Sequence, residues 1–373
     1  MIGLFSFFAG AGFLDLGFEM TGHFKTLFVN EFKPAFNRIY RYARTNMGIE
    51  APMFGHHIGD IAEWLDDKGK NKLLHQYLKD AKEFGIDYTG FIGGPPCPDF
   101  SVAGKNRGKE GDNGKLSQTY VDLICDILPD FFVFENVKGL YRTAKHREFF
   151  EALKNQLRKA GYVLTEQLIN SIEFGAPQDR DRIILIGFRK KLSKALKIKS
   201  KEGVISNFDW EKNKLYSRDV FSLNWPTTSP YQENTPTDAP EGIIKELTVQ
   251  HWWEKNDVSN HPNSKMYFKP RAGLYRFQTK AEGDNEKKCY KRLHRWRYSP
   301  TAAYGNNEVH IHPYLPRRIS VAESLAIQSL PAGYVIPTDI TLTDAFKTIG
   351  NGVPYMAARG IALNIYDYMH KTK

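Results

Sequence analysis

Between residues 2 and 189 short apolar runs alternate with amphipathic ones, and this rhythm restricts the fold more than any other feature of the chain. Runs at 2–8, 26–30, 88–93, 130–134, 163–171 and 183–188 have the length and the β-branched or aromatic character of strands. The stretches between them, among them 64–84, 116–128 and 146–161, carry apolar residues at helical spacing. Strands separated by helices form a mainly parallel sheet with helices on both faces, so the expected class is α/β, doubly wound and Rossmann-like. Ligands of such sheets bind beyond the carboxyl ends of the strands. The residues that close each strand are therefore the candidates for chemistry.

The first strand runs into Phe8-Ala9-Gly10-Ala11-Gly12 and then a helical pattern through Leu14, Leu16 and Phe18. A turn of small residues between strand and helix lets backbone approach a nucleotide-like ligand. Gly10, Gly12 and Gly17 lack the Gly-x-Gly-x-x-Gly spacing of dinucleotide sites; this argues against a Rossmann oxidoreductase and leaves other adenosyl cofactors open. The second strand ends in Glu31, about 20 positions on, where a carboxylate accepts from ribose hydroxyls. Asp60, followed by Ile61, is able to accept from an adenine amino group; either acid also reads as a plain loop residue. The strand at 88–93 leads into Gly94-Pro95-Pro96-Cys97-Pro98, where three prolines fix φ around one thiol. That corner suits a nucleophile aimed at an electron-poor carbon, and equally a tight turn that happens to carry a cysteine. Glu135 closes the next strand and would share a cleft with Cys97. Gln178-Asp179-Arg180-Asp181-Arg182 opens the last strand, with both guanidinium groups expected on one face as an anion or carboxylate site, or as a solvated charge cluster. Residues 103–115 read as a basic loop rather than a packed element.

After residue 190 the rhythm stops. Residues 191–300 hold 21 Lys and Arg against 13 Asp and Glu, +8 of the chain's +10, and five of its six tryptophans (Trp210, Trp225, Trp252, Trp253 and Trp296). A second segment of short strands and long loops with a polyanion partner, most simply nucleic acid, is expected there. Lys291-Arg292-Leu293-His294-Arg295-Trp296-Arg297 is a basic, aromatic cluster suited to phosphates. His56-His57 and His310-x-His312 lack a third ligand at metal spacing, so no metal is assigned. Arg317-Arg318 precede Ser320 and Glu323, a capping box opening a helix to residue 329. Gly350-Asn351-Gly352-Val353-Pro354 leads into a closing helix at 355–369. Cys97, Cys125 and Cys289 are too few and too far apart for a disulfide framework and fit a reducing compartment. The apolar run at 2–18 has no basic leader and contains Asp15, unlike a secretory signal, and no other stretch is long enough to span a membrane. A soluble, cytoplasmic protein is expected.

In register, Phe8-Ala9-Gly10-x-Gly12, Glu31, Asp60, Pro95-Pro96-Cys97, Glu135-Asn136-Val137, Gln178-x-Arg180-x-Arg182, Arg318…Glu323…Gln328 and Gly350-Asn351-Gly352 resemble the DNA (cytosine-5) methyltransferases, in that family's order and over nearly the whole chain. The resemblance implies a catalytic, S-adenosylmethionine-binding domain at 1–190 plus 338–373, and a smaller, mostly β or irregular target-recognition domain at 191–337. It implies that Phe8, Ala9, Gly10, Gly12, Leu14, Glu31, Asp60, Ile61, Pro95 and Asn351 hold the cofactor, with Glu31 at the ribose and Asp60 at the adenine. It implies flipping of a cytosine out of double-stranded DNA and attack of Cys97 on C6. Glu135 would stabilise charge on the ring, with Arg182 orienting it and Arg180 nearby. Ser101, Lys105 and Arg107 would close over the flipped nucleotide, and Arg292, Arg295, Arg297 and Arg318 would meet DNA. The implied setting is a monomer, associated with the nucleoid through DNA and working beside a cognate restriction endonuclease. Pro98 replaces a common Gln and Phe13 a common Gly; neither touches the reacting groups. RNA (tRNA) cytosine-5 methyltransferases share the catalytic half but carry Cys-Phe-Thr in the target domain, where this chain has Cys289-Tyr290. A non-catalytic DNA-binding relative is the other alternative, and intact Cys97, Glu135 and Arg182 speak against it.

Overall fold

The computed structural model describes residues 1–96, 112–270, 274–287, 289–302, 304 and 308–370. Cys97, Pro98, Ser101, Lys105 and Arg107 lie outside the described residues. The chain runs β1 (Ile2–Phe7), α1 (Phe13–Glu19), β2 (Phe24–Glu31), α2 (Pro34–Asn46), β3 (His56–Ile58), α3 (Glu63–Asp66), α4 (Lys68–Glu83), β4 (Tyr88–Gly93), α5 (Asp112–Ile127), β5 (Phe131–Val137), α6 (Ala144–Lys159), β6 (Tyr162–Asn170) and β7 (Asp181–Arg189). It continues through α7 (Lys190–Ala195), β8 (Ser200–Lys201), β9 (Val204–Ile205), α8 (Val249–Lys255), α9 (Leu274–Thr279), α10 (Val321–Ile327), α11 (Leu342–Asn351) and α12 (Tyr355–Met369).

The strands form one sheet in the order β3-β2-β1-β4-β5-β7-β6-β9-β8. β3, β2, β1, β4 and β5 are parallel neighbours. The winding reverses between β1 and β4, which opens a crevice at their carboxyl ends. β7 runs antiparallel to both β5 and β6. A single short 3-10 helix (171–174), rather than an α-helical crossover, joins β6 to β7, so the chain doubles back beside the strand it has left.

Strand alternation sends Phe5, Phe7, Phe91, Phe132 and Phe134 to one face, where α4, α5 and α6 cover them. Leu4, Ile92, Phe131 and Val133 point to the other face, under α1 and α12. These two helices touch closely: a Cβ on Gly17 would lie 2.4 Å from that of Ala358. A third cluster joins Leu16 of α1 and Ile39 of α2 to Trp252 and Trp253 of α8, Leu325 of α10 and Ile349 of α11. The basic segment therefore shares a core with the α/β part.

The helical reading of 64–84 holds, in two pieces, and the short strands expected across 191–300 need correction. Residues 64–84 form two helices, because Asp67 leaves helical geometry and its side chain accepts from the amides of Gly69 and Lys70 (2.7 and 3.1 Å), capping α4. Residues 191–300 hold little strand among the described residues. β8 and β9 have two residues each and extend the main sheet beside β6. Beyond β9 the segment consists of turns, isolated bridges and short helices, held by side chains rather than ladders. No helix among the described residues is long and apolar enough to cross a membrane.

Candidate active site

At the end of β1 the backbone of Phe8 turns left-handed (φ 54°), a conformation sparsely used by residues other than glycine and concentrated at functional sites. Gly10 and Gly12 continue the positive-φ turn (56° and 78°), and a Cβ on Gly12 would lie 2.4 Å from the Tyr40 ring beneath it. Glu31, closing β2, ties itself to this turn. Its two carboxylate oxygens accept from the amides of Gly10 (2.8 Å) and Lys33 (2.9 Å). Burial lifts the Glu31 pKa above the usual carboxylate value, and the donors from Lys33 and Gly10 offset part of that rise. A carboxylate has about four acceptor sites, so capacity remains for a diol. Asp60, just past β3, accepts from the amide of Ala62 (2.9 Å), while its own amide donates to Glu63 (3.1 Å).

Between the two acids lies a residue absent from the ligands expected on sequence grounds. Phe32 is 66% exposed, and Ile58, the register partner of Glu31, is 47% exposed. A lone aromatic directly after a strand-end acid was the available signal. Two carboxylates for hydroxyl and amino donors, an exposed aromatic face, and a backbone cradle at Ala9 and Gly10 fit an adenosyl group. Pro95 is buried and Asn351, at the end of α11, is exposed. The Asn351 corner rests on α1: a Cβ on Gly352 would sit 2.2 Å from the Phe13 ring. Leu14 and Ile61 are each packed into a hydrophobic core (8% and 2% exposed).

On the other side of the crevice, Arg182 Nε meets Glu135 Oε1 at 2.7 Å. Antiparallel pairing makes this possible. Val137 faces Arg182 and Glu135 faces Ile184, so the two long side chains are diagonal neighbours on one face. Arg182 also donates to the carbonyl of Asp181 (2.7 Å). Gly94, three residues before Cys97, lies against the acid: a Cβ there would stand 2.4 Å from Glu135 Oε2. Gly94, at the head of the segment that leads to Cys97, and the Glu135–Arg182 pair are thus one locus.

Arg180 does not share that face and is corrected. It is 1% exposed and points inward, donating to the carbonyls of Ala302 (3.1 Å) and Gly350 (2.8 Å). Burial, then the neighbouring Arg182, depress its pKa. The turn that carries both arginines is clasped by Asn170. The Asn170 side-chain amide donates to Asp179 (2.7 Å) and Asp181 (2.9 Å), and its oxygen accepts from the amides of Ile172 and Arg180. Gln178, fully buried, bridges to Gln328 (3.0 Å) and to the amide of Ala302 (3.0 Å).

The arginines assigned to phosphates are mostly framework. Arg292 is fully buried and donates to the carbonyls of His312 (2.5 Å), Pro313 (3.2 Å) and Phe277; burial lowers its pKa to about 10. Arg295 is buried in a two-point pair with Glu282 (2.9 and 2.8 Å) and holds the carbonyl of Thr235. Arg318 is buried and donates to the carbonyl of Val309, while its neighbour Arg317 makes the two-point contact with Glu323 (2.9 and 2.7 Å). Half-buried Arg297 reaches Pro226 and Tyr298 (3.3 Å each). An irregular segment has few ladders to satisfy its carbonyls, and guanidinium groups do that work here. His312 is similarly committed: its Nδ1 accepts from the amides of Tyr314 and Leu315, and its Nε2 faces Glu323 at 3.5 Å.

Residues 2–367 match the model of the C-5 cytosine-specific DNA methylase family. The type II methyltransferase M.NmeDI of Neisseria meningitidis serogroup C is 58% identical over 366 residues, covering 98% of this chain and 84% of that protein. M.FnuDI of Fusobacterium nucleatum is 28% identical over 376 residues, with 98% and 94% covered. A crystal structure from E. coli, of a prophage-encoded protein described as a DNA modification methyltransferase, superposes with a TM-score of 0.65 at 21% identity, over 98% of this chain and 99% of that one; this likeness shows the fold. The crevice, with its acid–arginine pair beside Gly94, is that of an enzyme, and the chain belongs to the C-5 cytosine-specific DNA methylase family as a DNA (cytosine-5) methyltransferase.

Proposed function

We propose that the protein turns one cytosine out of double-stranded DNA and methylates its C5 through a covalent adduct with Cys97. The observation that carries this reading is the Glu135–Arg182 pair at 2.7 Å, set against Gly94 at the start of the cysteine turn. C5 of cytosine is a poor nucleophile, and neither C5 nor C6 is reachable inside the stack. Addition of the Cys97 thiolate to C6 places a carbon–sulfur bond there and gives C5 carbanion character. Glu135, held by Arg182, hydrogen-bonds near N3 and the exocyclic amine and stabilises the charge on the ring. When bound, S-adenosylmethionine supplies a methyl group made electrophilic by its sulfonium. Loss of the C5 proton and of the Cys97 thiolate then restores the ring. Glu31 takes the ribose of the methyl donor, Asp60 the adenine amine, and Phe32 the adenine face. Phe8, the Ala9 and Gly10 backbone, Gly12, Pro95 and Asn351 line the remainder. Ser101, Lys105 and Arg107 close over the flipped nucleotide.

Division of labour follows the two parts of the chain, with residues 1–190 and 338–373 for catalysis and 191–337 for target recognition. Likeness to type II methyltransferases supports a role in protecting DNA from a restriction endonuclease cutting the same site, and the reading is completed by a cytoplasmic monomer. Expression in a methylation-free host followed by bisulfite sequencing is expected to show 5-methylcytosine in one short sequence context. Folded protein that binds the methyl donor yet leaves host DNA unmethylated would sink the enzyme reading. Replacing Glu135 by Gln keeps the size and one acceptor but removes the charge that Arg182 holds. Single-turnover transfer is expected to slow by about 10²- to 10⁴-fold with donor affinity unchanged. A rate within threefold of the parent protein would remove Glu135 from the mechanism.

A further inference from the structure

The buried arginines leave open which part of the recognition segment meets DNA, and charge separates two stretches of it. Residues 226–244 carry three acids (Glu233, Asp238 and Glu241) and no Lys or Arg. Residues 258–281 carry five Lys or Arg and no acid. A polyanion is repelled by the first and drawn to the second.

Within the basic stretch, α9 is built in an unusual way. Phe277 is its buried anchor (2% exposed). Leu274, Tyr275, Arg276, Gln278 and Thr279 are all exposed, Tyr275 at 73% and Leu274 at 48%. Exposed apolar and aromatic side chains side by side on one short helix mark a surface that meets a partner. Arg and Gln are the side chains that read guanine and adenine edges in the major groove, and apolar contacts read the thymine methyl. Arg276 stands over the Tyr290 ring (5.3 Å), which limits its rotamers in advance of binding. Lys280 is paired with Asp284 (2.6 Å) and is not counted among the readers.

The base of α9 is held rigidly. Arg292 donates to the carbonyl of Phe277, and the Phe277 ring packs edge-on against Tyr290 (5.9 Å). From Arg292 the framework leads back to the crevice. The Ile311 amide donates to Lys291 (2.7 Å), His310 meets the Tyr304 ring (5.3 Å), and Arg180 holds the carbonyl of Ala302 two residues before Tyr304. A six-residue helix is small enough for the major groove, about 12 Å wide.

We infer that α9 is the element that reads the DNA sequence, entering the major groove with Tyr275, Arg276 and Gln278 while the buried Arg292 fixes its base. The inference rests on the reading of the protein as a DNA methyltransferase. The test uses the full chain and a duplex bearing the site found by sequencing methylated host DNA, with a second duplex changed at one base pair of that site. The variant Tyr275→Ala/Arg276→Ala/Gln278→Ala is expected to lose tenfold or more of the discrimination between the two duplexes in kcat/KM, while S-adenosylmethionine affinity and Tm stay as in the parent. Arg276→Ala or Gln278→Ala alone is expected to lower affinity for the site about 5- to 150-fold, and carries the same test should the triple variant unfold. Discrimination within twofold of the parent overturns the inference. So does an equal loss of affinity for both duplexes. A parent protein that methylates no DNA fails earlier, at the enzyme reading.

Discussion

The Cys97→Ser protein is expected to lose methyl transfer by more than about 10³-fold while keeping its affinity for DNA and for the methyl donor. A serine hydroxyl at neutral pH is almost wholly protonated and needs a base to attack. The acid beside the turn is already committed, since Glu135 lies 2.7 Å from Arg182 Nε. A hydroxyl in place of the thiol would have to draw that acid away from Arg182, whereas a thiolate is nucleophilic by itself. Binding rests on other residues and should survive. The check is single-turnover transfer from labelled S-adenosylmethionine beside a DNA titration on the same sample. Transfer within tenfold of the parent rate would place the nucleophile elsewhere.

Arg180→Ala is expected to cost about 3–5 kcal/mol of stability and to lower Tm by roughly 5 °C. The guanidinium fills a closed space (1% exposed) and is the donor to Ala302 and Gly350. Removing it leaves a cavity and two buried carbonyls short of a donor, partly offset because a cation no longer has to be desolvated. Lysine at 180 restores charge but not two-point reach, so it should recover only part of the loss. Gly350 precedes Asn351, and donor affinity should fall along with Tm. Thermal melts and calorimetry with S-adenosylmethionine read both. A variant as stable as the parent would show that the two carbonyls find other donors.

Elements whose shape is set locally are legible in the order of residues alone. The strand at 88–93 and the helix at 355–369 end where their apolar patterns end. The capping box at Ser320 and Glu323 forms as its spacing implies, with the Ser320 amide donating to Glu323 and the Glu323 amide to Ser320. Acids at strand ends could be placed because a strand buried on both faces reads as a continuous apolar run, and the first acid after the run marks its end within a residue or so. The destination of long cations is not legible in the same way. A run such as Lys291–Arg297 records charge, but not which carbonyls an irregular segment leaves unpaired, and Arg292 and Arg295 turn inward to meet them. Arg180 and Arg182 illustrate the same limit two residues apart. The helix break at Asp67 is hidden because an Asp inside an amphipathic pattern looks like any solvent-facing acid.

The contact of Gly17 with Ala358 and of Phe13 with Gly352 has a consequence in time. The crevice floor joins α1 to a stretch more than three hundred positions later, so no fragment that stops short of that stretch can shape it. At about 5–20 residues per second, a ribosome needs roughly 20–70 s to go from Phe13 to Asn351. Until then the first strands and helices wait with an open flank, and contacts this remote in sequence are slow to form. Competence to methylate therefore arrives late and all at once. A chain cut before α11 should be silent rather than weak.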